Sequence, residues 1–270
     1  MIVSALGLAL VLLQTPPAPA AAAVQAVPAN LSATFVKILR KVPAFLPATG
    51  RAIQTDLKGV ATPQAPFPLW VVEFRWTEKG AANSGLAMFV EMAGIVKVQP
   101  AAEKEVSVRE DGWGLGTLTE GKTLAAWLEE MNAVRRAANE AAALADVRTV
   151  LSAQRVFQYA SGGSYGELSC LGEPASCLPG SKEKSILDVP FTAAPERGGY
   201  RRAFHAGPAT KGAKSPKLLN TFAFTAVPMS PDSGKLGFCG DSTGAVCAVS
   251  GEPMPAIVGG ACPKACVPLQ

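Results

Sequence analysis

Residues 123–159, TLAAWLEEMNAVRRAANEAAALADVRTVLSAQRVFQY, contain no Pro or Gly and are rich in Ala, Leu, Glu and Arg. These side chains lose least on entering a helix, so the stretch predicts one long helix opening just after Gly121. One set of positions recurs along it at helical spacing, first Leu124, Trp127, Leu128, Met131 and Val134, then Leu144, Val147, Leu151, Gln154 and Phe157. The stripe drifts, which predicts a slowly rotating buried face. At roughly 1.5 Å per residue such a helix is longer than a small domain is wide, and it reads as a spine with other elements laid across it.

After the spine, Ser161-Gly162-Gly163 is a helix stop, and a cysteine-bearing loop runs on to Ser185. Strands are predicted at Arg201–Ala206, Leu219–Val227, Lys235–Cys239 and Ala245–Val249, with Pro and Gly in every gap. The tail, 251–270, is rich in Pro and predicted to be irregular. Before the spine, Leu31–Leu46 has apolar residues at 31, 35, 36, 38 and 39, a short amphipathic helix broken at Pro43, and Ala48–Val60 reads as a further helical piece. Leu69–Trp76 alternates, with Trp70, Val72, Phe74 and Trp76 on one face and Val71, Glu73 and Arg75 on the other, which is a half-buried strand. Leu86–Val98 and Glu105–Arg109 complete a meander, and Asp111–Gly116 is a glycine-rich turn. The expected class is α+β in two units, 24–112 as a small helix-plus-meander and 113–250 built on the spine.

Charged residues make up 17% of the 270, and the net charge of +4 is spread without a basic block, which argues against a nucleic-acid partner. Residues Ile2–Leu13 are a short apolar run followed by Pro and Ala, so 1–23 read as an export signal, with the mature chain starting between Ala21 and Val24 and no stable membrane span. The missing positive residues ahead of the run leave a retained anchor open. Cys170, Cys177, Cys239, Cys247, Cys262 and Cys266 all lie in the turn-rich last part of the chain. In an exported chain an even number of cysteines reads as disulfides, and proximity suggests the pairs 170–177, 239–247 and 262–266. With no CxxC and His205 as the one histidine, no metal site is expected.

Several motifs invite catalytic readings. Gly116-Thr117-Leu118-Thr119-Glu120-Gly121-Lys122-Thr123 satisfies GxxxxGK[ST], but no buried parallel strand leads directly into it, and a capping box of Thr117 and Glu120 is the plainer reading. Gly162-Gly163-Ser164-Tyr165-Gly166 fits GxSxG, yet a helix precedes it where a nucleophile elbow has a strand. Asp232, Asp241, Ser242 and Thr243 could offer oxygens to calcium, but no interleaved series of acidic ligands is present and Asx turns are the favoured reading. No catalytic residue and no cofactor is expected.

The stretches ANEAAALADVRTVLSAQRVFQYASGGSYGEL (138–168), Leu187-Asp188, Gly199-Tyr200, FAFTAVP (222–228) and FCGDSTGAVC (238–247) resemble the globular part of type IV pilins and type II secretion pseudopilins. The resemblance implies a pilin-like fold, with a long helix packed on a small antiparallel sheet. It implies a non-catalytic, exported protein of the cell envelope, periplasmic or secreted, acting through protein partners of a pilus or secretion apparatus. The prepilin peptidase signal of that family is missing from this sequence. The alternatives are a ligand-binding module unrelated to pili and, third, a P-loop protein or hydrolase.

Overall fold

A computed structural model of the chain describes residues 24–41, 52–54, 57–62, 68–91, 109–181, 184–188, 194–213, 215–250 and 254–269. They fall into two compact units, one within Pro19–Met131 and one within Asn132–Gln270. The division lies inside the long helix rather than near Gly112.

In the N-terminal unit, helix α1 (Ala29–Lys41) buries Phe35, Val36, Ile38 and Leu39, an amphipathic spacing, and closes with Arg40 and Lys41 at its carbonyl end, where cations suit the helix dipole. It lies on an antiparallel sheet made of β1 (Gln25–Ala26), β2 (Ala52–Ile53), β3 (Lys58–Thr62), β4 (Leu69–Glu78), β5 (Ala81–Glu91), β6 (Arg109–Glu110) and β7 (Trp113–Glu120). The strand order is β1-β3-β4-β5-β7-β6, with β2 also on β4. Two hairpins turn through two residues at positive φ, Lys79 (49°) with Gly80 (80°) and Asp111 (48°) with Gly112 (82°). That geometry matches the twist of the strands it joins.

The alternation of β4 is observed. Trp70, Val72, Phe74 and Trp76 join Phe35, Ile38, Leu39 and Phe89 in one core, where the Phe35 ring stacks on Phe89 at 4.0 Å and meets Trp113 edge-on at 5.3 Å. The second face of the sheet is covered as well. Val60, Val71 and Leu86 pack with Leu124, Trp127 and Leu128 from the first turns of helix α2 (Leu124–Ser161).

In the C-terminal unit, the later turns of α2 bury Ala143, Val147, Val150, Leu151, Ala153 and Phe157. They pack against a six-stranded antiparallel sheet of order β15-β14-β13-β12-β10-β9. Its members are β9 (Glu196–Arg197), β10 (Tyr200–Ala206), β12 (Phe222–Pro228), β13 (Leu236–Asp241), β14 (Val246–Ser250) and β15 (Val267–Pro268). Phe222, Phe224, Ala226, Phe238 and Ala248 point toward the helix, and alternate residues Ala223, Cys239 and Cys247 form a second cluster with Cys266. A two-stranded sheet, β8 (Tyr165–Gly166) with β11 (Leu218–Leu219), and the short helix α3 (Leu168–Gly172) close the end of the core.

A polar residue completes the stripe of α2. Gln154 is fully buried, and its side-chain amide donates to Gly166 O while its carbonyl accepts the Gly166 N–H at 3.1 Å. One side chain thereby satisfies both backbone groups of a buried residue. Gln154→Leu is expected to destabilise the C-terminal unit by about 2 kcal/mol, because both Gly166 groups lose their partner. Urea midpoints of the two proteins check this, and a difference close to zero would mean that water replaces the amide.

The α+β expectation does not hold. Among the described residues the fold is mostly β, in three antiparallel sheets of seven, six and two strands, and α2 does not pack on one small sheet alone. Its first turns belong to one core and its last turns to another. Between Leu124 and Ala143 no residue of it is buried, and Met131 and Val134, expected on the inner stripe, are exposed. The stretch read as a turn through Gly116 turns only at Asp111 and Gly112, and Trp113–Glu120 pairs with β5 along its length. The helical reading of Ala48–Val60 also fails where residues are described, since Ala52–Ile53 and Lys58–Val60 are strand. The expected export signal, 1–23, lies outside the described residues, as do 92–98 and 105–108 of the predicted strands and the end of the first predicted helix, 42–46.

Candidate functional site

The P-loop letters are divided between unrelated elements. Gly116 and Glu120 lie in β7, Gly121 makes the bend at φ 72°, and the Lys122 ammonium pairs with Glu130. Thr123 rather than Thr117 caps α2, its hydroxyl accepting the Ala126 N–H at 3.2 Å. A second cap comes from β4, where Glu73 accepts the Leu124 N–H at 2.8 Å with one oxygen and Arg75 Nη2 at 2.9 Å with the other. Burial works to raise the Glu73 carboxyl, but the Leu124 amide and Arg75 outweigh it and hold the pKa below the ordinary 4.5. The folded value is the lower one, so the stabilisation is complete above about pH 4.5 and is lost as pH falls through that folded value. Glu73→Gln is expected to cost the N-terminal unit about 1 kcal/mol near neutral pH. The gap from wild type should shrink in strong acid, and urea midpoints at both pH values read it.

At the other end of α2, Gly162 (φ 74°) and Gly163 (φ 116°) terminate the helix, with the Gly163 N–H donating to Gln158 O at 2.9 Å. Ser164 of the GxSxG letters belongs to that cap through its N–H to Ser161 Oγ at 3.0 Å. His205, on β10, pairs instead with Thr225 Oγ1 at 2.9 Å, and burial lowers its pKa. The structure thus gives Ser164 and His205 separate partners.

Asp241 forms the expected Asx turn. One carboxylate oxygen accepts the Thr243 N–H at 3.0 Å and hydroxyl at 2.6 Å, and the other accepts the Cys262 N–H at 2.9 Å. Asp232 lies exposed in the turn between β12 and β13.

Every cysteine is in a disulfide. Cys170–Cys177 is the pair proximity suggested, but the other two are Cys239–Cys262 and Cys247–Cys266. Cys239 and Cys247 face one another across β13 and β14, yet each bonds to the tail that folds back over them. Sγ atoms of Cys239, Cys247 and Cys262 lie within 4.8 Å of one another, the sulfurs being engaged in these bonds rather than offered as thiolates.

One face of α2 carries exposed apolar side chains. Arg148, Ser152, Val156 and Tyr159 share a face of α2, with Val156 53% and Tyr159 91% exposed. Beside them a shallow hollow of about 390 Å³ is lined by Arg148, Thr149, Ser152, Ala153, Val156 and Ile186. Neither Arg148 nor its neighbour Arg155 has a carboxylate partner among the described residues. Nothing in the local pattern of residues marks this face except Val156, an apolar residue set off the inner stripe.

Fold and surface together define an antiparallel β protein of two units, the second stapled by three disulfides. No family model matches the chain, and neither does any curated protein or solved structure. The likeness to pilins rests on the quoted residues alone. The disulfides fit a compartment outside the cytoplasm, and among the described residues no helix is long and apolar enough to cross a membrane.

Proposed function

We propose that this is an exported, non-catalytic protein of the cell envelope, periplasmic or secreted, that works by binding another protein through the outer face of α2. The observation that carries the reading is the exposure of Val156 and Tyr159 beside two arginines with no described carboxylate partner. An aromatic and a branched side chain flanked by guanidinium groups have the makeup of an interface centre, and they favour a partner surface with carboxylates around an apolar side chain. A pilus or type II secretion component is the partner that the sequence resemblance nominates.

Site-specific photo-crosslinking from position 159 in the native cell tests this. One discrete adduct with an envelope protein is expected, and it should be lost when Val156→Asp or Arg148→Glu is introduced. An adduct that survives both changes, or none at all, rejects the surface. The intact mass of the protein from the envelope fraction, before and after reduction, tests export separately. A start between Ala21 and Val24 with six thiols released only on reduction is expected.

A further inference from the structure

The tail, Met254–Leu269, crosses the sheet face away from α2 and is bound there twice, by Cys262 to Cys239 and by Cys266 to Cys247. The two bonds are neighbours, for Cys239 pairs with Cys247 in the strand register and three of the four sulfurs lie within 4.8 Å of one another. Cys239, Cys247 and Cys266 are buried, whereas Cys262 is partly exposed. We propose that this cluster is a thiol-exchange site, at which a low-molecular-weight thiol converts the clasped pairing into Cys239–Cys247 and Cys262–Cys266 and frees the tail from the sheet.

The steps balance without net oxidation or reduction. An external thiolate attacks Cys262 Sγ, breaking the Cys239–Cys262 bond, forming a mixed disulfide at Cys262 and leaving the electron pair on Cys239 as thiolate. The Cys239 thiolate attacks Cys247 Sγ, forming Cys239–Cys247 and expelling Cys266 as thiolate. Cys266 then attacks Cys262 Sγ, closing Cys262–Cys266 and returning the external thiolate.

Opposing forces set the position of this exchange. The clasped bonds join residues 23 and 19 apart, while the alternative closes much shorter loops, which chain entropy favours. Contacts of the tail favour the clasp: the Cys262 N–H on Asp241 at 2.9 Å, the Leu269 N–H on Val246 O at 2.8 Å, and the pairing of β14 with β15. Unclasping uncovers Ala223, Cys239, Cys247 and Val249, an apolar face with an open strand edge at β14.

The test incubates the full-length folded protein in a glutathione buffer, quenches with acid and maps disulfides by mass spectrometry. Cys239–Cys247 and Cys262–Cys266 peptides are expected, with the remote Cys170–Cys177 bond unchanged. Asp241→Ala should raise their share about fivefold, the shift that losing one ordinary hydrogen bond produces. Mixed disulfides at Cys262 with no Cys239–Cys247 peptide would overturn the proposal. Cys262→Ser isolates the middle step without added thiol, and the Cys239 thiol should move the bond to Cys239–Cys247 and release Cys266. Persistence of Cys247–Cys266 alone in that variant would also overturn it, and if the variant does not fold, the wild-type mapping decides.

Discussion

Asp146→Ala is expected to destabilise the C-terminal unit by about 3–5 kcal/mol, the usual cost of removing one partner from a buried ion pair. Asp146 is 6% exposed on α2 and divides its carboxylate between two arginines. One oxygen takes Arg197 Nη1 at 3.0 Å, and the other takes Arg202 Nη1 at 3.1 Å. Arg202 is itself buried, at 7% exposure, and also donates to Ala194 O. Burial weakens its hold on its proton, and Asp146 works against that loss. Without the carboxylate, the Arg202 guanidinium stays in the interior and loses the Asp146 charge that offsets its desolvation.

Arg197 serves as the internal control. Its side chain is 52% exposed, so Arg197→Ala is expected to cost under about 1 kcal/mol. The double change Asp146→Leu with Arg202→Met should recover most of the loss, since apolar replacement of a buried pair is often neutral. Urea midpoints, with amide exchange of β10 and β12 reporting the C-terminal unit, give all three values. A loss below about 1 kcal/mol for Asp146→Ala would show that water reaches Arg202 and that the pair behaves as a surface bridge.

What the sequence revealed was local. An uninterrupted run of good helix formers announced α2, and the alternation from Trp70 to Trp76 announced β4, because each pattern is written in neighbouring residues. The strand Trp113–Glu120 was hidden by Gly114, Gly116 and Gly121, which suggest a turn, and only its pairing with β5 makes the extended form preferable. The α+β class follows from reading β2, β3 and β7 as helix or turn, and the covering of both faces of the first sheet depends on where a helix some fifty residues later begins. The tail disulfides were misassigned for the same reason: proximity in sequence favoured Cys239 with Cys247, while Asp241 and β14 draw the tail between them. Of the candidate surface, only Val156 carried a signal. Asp146 and Arg202 are 56 positions apart, and nothing in either neighbourhood announces the other. Gln154 is placed on the inner stripe by its spacing, and a polar residue there implies a buried partner, although not which one.

Gly240→Val is expected to cost the same unit about 3 kcal/mol, the upper part of the range for overpacking a well-filled core. Gly240 is on β13, facing Val147 and Leu151 of α2. A Cβ at this position would lie 2.7 Å from Leu151 Cδ1 and 2.7 Å from Val147 Cγ1. Leu151 could swing its terminal methyl aside, but Val147 is stiff at χ1 and completely buried, so either the helix or the strand has to move. Gly240→Ala should therefore cost less, about 1 kcal/mol. The diagnostic is a double change. Leu151→Ala alone is expected to destabilise by about 2–5 kcal/mol through the cavity it leaves. Combined with Gly240→Val, it offers room for the new methyl groups, and the loss should fall short of the sum of the two single losses by at least about 1 kcal/mol. Simple additivity would mean that Val147 alone sets the clearance, and a neutral Gly240→Val would mean that α2 does not press on β13 at all.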